Sequence, residues 1–193
     1  MQKLLLDIRN CTHCDKFLPN VPNPVIRAST KSKIVVIGQA PGRKVHQSGI
    51  PWDDASGANL RAWMGVDNQT FYNEDLFALM PMGFCYPGTG KSGDFPPRKE
   101  CAPLWHKRLL QAMPEAKLIL LIGQYAQGYY LKNLDHKNLT QRVKDFHEYL
   151  PDYFPLPHPS PRNNLWQKNN PWFKSDLLPI LKAEVQQILE QSN

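Results

Sequence analysis

Four cysteines and two proline-stiffened loops hold the residues of this sequence that could do chemistry. Cys11 and Cys14 form a Cys-x2-Cys knuckle in "NCTHCD", while Cys85 in "GFCYPG" and Cys101 in "RKECAPLW" add two more thiols far along the chain. Four thiolates with a pair at ligand spacing can hold either a zinc ion or an iron–sulfur cluster. The competing reading makes Cys85 and Cys101 ordinary buried cysteines. Of the six histidines, His158 is singled out by its loop, "HPSPRN" from His158 to Asn163, in which Pro159 and Pro161 restrict the backbone. The other loop is "GQAPG", Gly38 to Gly42: its glycines allow a tight turn that brings backbone amides near a ligand, and Pro41 stiffens it.

Something must position these loops. "SKIVVIG" (Ser32 to Gly38), "EDLFALMPM" (Glu74 to Met82), "AKLILLIG" (Ala116 to Gly123) and "DYFPLPHPS" (Asp152 to Ser160) read as strands. The first and third are almost wholly apolar, as expected of a parallel sheet covered on both faces. Helical patterns fall at about Ser56 to Met64, Lys99 to Met113 and Tyr125 to Leu131, with a closing helix from about Pro171 to Gln191. Alternating strands and helices imply an α/β/α sandwich with right-handed crossovers. In such a sheet ligands gather beyond the carboxyl ends of the strands, which here are followed by "GQAPG", "PMGFCYPG", "GQYAQ" and "HPSPRN". The proline-rich stretches Pro19 to Pro24 and Pro87 to Pro97 read as loops, and neither divides the chain into separate domains.

At 193 residues and 41% hydrophobic, with five tryptophans, the chain suits one domain with a real core, residues 1–193, whose N-terminal knuckle joins the cysteine site. No apolar run approaches the roughly 20 residues that span a bilayer, and the N-terminal segment, with Asp7 and no small-residue cleavage site, does not read as an export signal. A cytoplasmic monomer is expected, and with it reduced thiols. The net charge of +6 favours a polyanionic partner, although a solvated basic surface gives the same figure.

"GQAPG" and "HPSPRN" resemble the two signature loops of the uracil-DNA glycosylase superfamily. The order and spacing of the four cysteines, and "FPPRKECAPLW" from Phe95 to Trp105, are similar to its iron–sulfur branch in bacteria and archaea. "HPSPRN" itself is closer to the single-strand-selective branch. The resemblance covers nearly the whole chain. It implies a central four-stranded parallel sheet between helices, a 4Fe-4S cluster on Cys11, Cys14, Cys85 and Cys101 in preference to zinc, and hydrolysis of a damaged base from DNA, single- or double-stranded.

Breaking an N-glycosidic bond creates an oxocarbenium-like sugar and an anionic base, so the site needs a donor at the departing base and an oriented water. His158 is the expected donor. For the water, the third residue of the first loop is Asp in some members, and here it is Ala40, as in the iron–sulfur branch. Acidic residues of that branch's loop region are replaced by Gln39, Val45 and His46. Gln39 can orient water but is a poor base, so Asp53 is the expected carboxylate; the alternative is that Asp53 or Asp54 caps the helix near Ser56. Trp52 falls where the family places an aromatic that stacks on the flipped base; Gly38, Ala40 and Met82 complete the expected base pocket. A core tryptophan is the competing reading. Arg162 corresponds to the residue that enters the stack behind the flipped nucleotide. Ser160, Asn163, Arg43 and Lys44 are the other expected DNA contacts, with Lys91 and Arg98 as further candidates.

One departure weighs on specificity. The branch carries a base-reading side-chain amide about four residues before the third cysteine, where this chain reads "LMPMGFC", with Met80, Pro81 and Met82. The alternative to a glycosylase is therefore a noncatalytic nucleic-acid-binding protein keeping the same fold and cluster; a redox protein using the cysteines alone is a third reading.

Overall fold

The long apolar runs alternate their side chains between two cores. A computed structural model describes residues 1–91, 93–132 and 137–191. In chain order the main elements are α1 (Gln2–Arg9), β1 (Ile34–Ile37), α2 (Arg43–Ser48), α3 (Ala55–Met64), α4 (Asn68–Phe71), β2 (Phe77–Leu79), β3 (Thr89–Gly90) and β4 (Gly93–Asp94). These are followed by α5 (Cys101–Gln111), β5 (Leu118–Ile122), α6 (Gly123–Tyr130), α7 (Leu139–Lys144), β6 (Tyr153–Leu156), α8 (Asn164–Asn169) and α9 (Leu178–Glu190).

β2, β1, β5 and β6 lie side by side in that order, all parallel, with Val36 opposite both Leu79 and Leu120 and Leu121 opposite Pro155. Pro155 is tolerated because β6 is an edge strand. Ile34, Val36, Leu120 and Phe154 face one core with α3 and α9, where Trp63 meets Phe173 edge-on at 4.8 Å; Val35, Ile37, Ala78 and Leu121 face the other with α1, α5 and α6. This is the expected three-layer α/β/α sandwich around a four-stranded parallel sheet.

The strands are shorter than the apolar runs suggested, because each run also supplies the turn that leaves the sheet. The closing helix has a π-helical first turn, Phe173–Leu177, before α9. Pro179 follows directly on that π-helical turn, in the first turn of α9. Several elements had no expectation: the helices α1, α2, α4, α7 and α8, and the β3–β4 hairpin inside the Pro87 to Pro97 stretch, whose second strand starts at Gly93 with φ 129°. Among the described residues no helix is long and apolar enough to cross a membrane.

The chain steps one way from β1 to β2 and the other way from β5 to β6, so the strand order reverses between β1 and β5. That switch point opens a crevice beyond the strand ends.

Candidate active site

A cleft of about 550 Å³ occupies that crevice, and residues following all four strands line it: Gly38 to Gly42 after β1, Pro81 after β2, Gln124 and Tyr125 after β5, His158 and Ser160 after β6. The hairpin adds Thr89, Gly93 and Asp94.

Trp52 owes its place to two glycines. A Cβ on Gly38 would lie 2.6 Å from Trp52 Cζ2, so the indole rests against bare backbone. A Cβ on Gly57 would lie 1.8 Å from the Trp52 carbonyl, which also accepts from Arg61 Nη1 at 3.4 Å. Trp52 itself is left-handed at φ 59°, a conformation that costs a bulky residue about 1–3 kcal/mol. The fold maintains that strain to present the ring in the cleft, 6.0 Å from the His158 ring at an interplanar angle of 36°.

His158 is held from both sides of its loop. The Ser160 backbone N–H donates to its Nδ1 at 3.2 Å, Asn163 Nδ2 donates to its carbonyl at 2.7 Å, and Asn59 Nδ2 of α3 donates to the next carbonyl, that of Pro159, at 2.8 Å. With Nδ1 an acceptor, the neutral ring carries its proton on Nε2. Burial lowers the pKa, overriding the upward pull of the Asp54 carboxylate, so the neutral tautomer is the resting one. Among the described residues nothing pairs with Nε2, which leaves it free to donate to a ligand. Gly123, left-handed at φ 81°, packs beside this ring.

Two carboxylates line the cleft: Asp94 accepts from Thr89 on the hairpin, and the other belongs to Asp54. It caps α3, accepting the Gly57 N–H on Oδ1 at 2.8 Å, and lines the cleft wall. Asp53, the residue expected from the sequence, stands beside Lys44 at 3.8 Å and does not line the cleft. The extended backbone of Asp54 (φ −155°, ψ −178°) sends the two neighbouring side chains apart. Gln39 and Ala40 are on the wall as expected.

Met82 is not. It is buried in the core on the α5 side, its N–H donating to the Gly38 carbonyl at 2.9 Å, and Pro81 takes the wall instead. The Pro81 carbonyl is engaged from behind: buried His106 of α5 donates to it from Nε2 at 3.1 Å and meets Tyr130 Oη with Nδ1 at 2.8 Å. Burial pushes the His106 pKa down to about 4. The cleft wall after β2 is thus formed by Pro81 and not by Met82.

Ser160, Arg162 and Asn163 line the cleft, with Ser160 Oγ accepting the Arg162 N–H at 3.3 Å. Arg162 Nη1 is 2.8 Å from where a Cβ on Gly93 would lie, so the hairpin tip packs against it. Arg43 and Lys44 are exposed on the first turn of α2, outside the cleft lining. Sequence reasoning missed Asp94 and Thr89, joined by a 2.5 Å hydrogen bond, because the two-residue strands that carry them have no hydrophobic period.

The four cysteines line a second, largely apolar pocket together with Leu18, Phe84, Arg98 and Trp105. Burial raises the Cys14 pKa, pushes Cys85 up to about 11 and pushes Cys101 up to about 12, and neighbouring cysteines add to each rise. Such thiols ionise together only when a cation compensates them. Among the described residues no group of three or more His, Cys, Asp or Glu side chains is arranged to grip a metal ion as it stands. Four thiols around one largely apolar pocket are a donor set that suits a zinc ion or an iron–sulfur cluster. Arg98, a DNA candidate from its charge, belongs here: it lines the cysteine pocket and pairs with Glu100 at 2.6 Å.

A four-stranded parallel sheet between helices, with a cleft beyond its strand ends at the switch point, defines an open α/β protein of the kind that takes ligands at that place. The sequence matches the family model of the uracil DNA glycosylase superfamily over residues 26–182, and the chain belongs to that superfamily. Membership supports a glycosylase-type function on DNA.

Proposed function

We propose that this protein is a monofunctional DNA glycosylase that hydrolyses the N-glycosidic bond of uracil or a related damaged base, leaving an abasic site. The observation that carries the reading is His158, neutral and with its Nε2–H free, 6.0 Å from the Trp52 ring across one cleft. An extruded base stacks on Trp52, which offsets about 1–3 kcal/mol of lost stacking in the duplex. Its glycosidic bond breaks, the electron pair leaves with the base, and His158 donates a hydrogen bond to the base carbonyl where negative charge accumulates. Asp54 faces the developing positive charge on the sugar, and its carboxylate takes the proton of the water that adds to the anomeric carbon, with Gln39 helping to orient that water.

Water is the nucleophile in this reading of monofunctional action, in keeping with a cleft wall that carries no lysine amine among the described residues. Arg162 enters the stack, and Ser160 and Asn163 hold the loop against adjacent phosphates. Cys11, Cys14, Cys85 and Cys101 would hold a 4Fe-4S cluster, which would tie the N-terminal knuckle to α5 and stand apart from the reaction.

Pro81 favours a second reading, a nucleic-acid-binding protein without catalysis, since no side-chain amide reads the base there. Oligonucleotides carrying uracil, hypoxanthine, xanthine or an oxidised pyrimidine, each incubated with wild-type and His158→Ala protein and then cleaved with alkali, decide between them. Release of one of these bases, slowed roughly 100- to 1000-fold by the substitution while DNA affinity holds, supports the glycosylase. Binding with no release from any substrate establishes the second reading.

A further inference from the structure

Buried N–H groups are nearly always paired. Among the described residues, five buried side-chain polar atoms have no partner, and two of them are the N–H donors Arg98 Nε and Trp105 Nε1. Both side chains line the pocket walled by the four cysteines. Neither donor is loose. The Arg98 guanidinium is fixed by Glu100 at 2.6 Å and lies 4.4 Å from the centre of the Phe17 ring; the Trp105 ring is buried, with Arg108 over it at 5.2 Å. The rest of the wall offers Leu18, Pro22, Pro24 and Phe84, which supply no side-chain acceptor. Two buried N–H donors without acceptors, on the wall of a pocket lined by four cysteine sulfurs, point to an anionic group rich in sulfur.

We propose that Trp105 Nε1–H and Arg98 Nε–H donate hydrogen bonds to the sulfur atoms of the cluster held by Cys11, Cys14, Cys85 and Cys101. The proposal rests on the cluster reading given above. A backbone N–H already serves one of these cysteines: Phe84 N–H donates to Cys101 Sγ at 3.4 Å. Donors to cluster sulfur favour the more negatively charged oxidation level, so they raise the midpoint potential and slow loss of the metal.

Trp105→Phe keeps the ring and removes the N–H, and Arg98→Lys keeps the charge and removes Nε. Iron and sulfide content, midpoint potential, the rate of iron loss to a chelator and the deuterium shift of the iron–sulfur stretching bands are measured on the purified full chains. Both variants should load iron, shift the midpoint to more negative values, lose iron roughly 10-fold faster and lose part of the deuterium shift. Equal potentials, equal chelation rates and an unchanged deuterium shift in both variants overturn the proposal alone. If wild-type protein holds zinc, or neither iron nor sulfide, the cluster reading falls and takes the proposal with it. Melting temperatures of the metal-free proteins separate lost packing from lost hydrogen bonding: a purely structural role lowers these and leaves the potential of the loaded forms unmoved.

Discussion

Gly38→Ala tests whether Trp52 is the surface on which the base rests. The added Cβ would meet Trp52 Cζ2 at 2.6 Å and Cη2 at 3.2 Å, so the ring must retreat by roughly 1 Å to reach ordinary carbon–carbon contact near 3.6 Å. The backbone cannot absorb that shift, because the Trp52 carbonyl is wedged over Gly57 and bonded by Arg61. The indole therefore rotates off its rotamer, at about 0.5–1.5 kcal/mol, and no longer offers its face at the height of the His158 donor. Loss of stacking of about 1–3 kcal/mol slows excision roughly 5- to 150-fold. Single-turnover excision on a single-stranded oligonucleotide measures this without the energetics of duplex opening. Combining Gly38→Ala with Trp52→Phe should restore part of the rate, since the smaller ring clears the new methyl; the double-mutant cycle isolates the pair. If Gly38→Ala alone stays within about twofold of wild type while melting normally, the ring is not the stacking surface and the argument fails.

The two carboxylates separate cleanly. Asp54→Asn keeps a capping oxygen for Gly57 and loses the charge, so stability should hold while excision slows roughly 100-fold; Asp53→Asn should leave the rate near wild type. Equal losses would return the role to Asp53. Because burial lowers the His158 pKa, excision should hold down through the ordinary histidine range near 6.5 and fall only at more acid pH, as the imidazolium displaces the Ser160 N–H; a pH–rate profile reads this directly. His106 gives a separate, structural acid response. Its folded pKa, near 4, lies below the unfolded value of about 6.5, so its contribution is present above pH 6.5 and lost as pH falls towards 4, up to about 3 kcal/mol. Denaturant unfolding across that window should show the slope, and His106→Gln should flatten it. Arg162→Ala should weaken duplex binding more than single-strand binding, because only the duplex has a stack to fill; matched losses on both would remove the wedge.

The sheet was legible because its strands are continuous apolar runs, and the site was legible wherever a loop leaves such a strand: Gly38, Gln39, Ala40, His158 and Ser160 all reach the cleft. "GQYAQ" delivered Gln124 and Tyr125 to it because α6 begins at the last residue of the run, with no loop between. The failures have local causes. Asp53 and Asp54 are adjacent, and the capping geometry that decides between them is a three-dimensional fact, although an Asp followed by Ala-Ser-Gly is itself a capping signal. Met82 lies past the end of β2, where strand alternation no longer dictates direction. Arg98 looked like a rim charge because composition cannot tell a cation facing phosphate from one facing a thiol. Asp94 depends on a turn that folds back across a chain separation no periodicity reports.

The bond from Asn59 to the Pro159 carbonyl joins residues one hundred positions apart, tying α3 to the loop that carries His158. Asn163 on the His158 carbonyl braces the same loop from within, and both bonds are made without a ligand. For the proposed enzyme, mechanical work therefore falls on the nucleic acid: the strand must buckle until a nucleotide reaches a loop that is already braced. Recognition then begins before any atom of the base is read, in how readily a given site in DNA gives way, and a weakly paired or unpaired nucleotide is selected by its own lack of resistance.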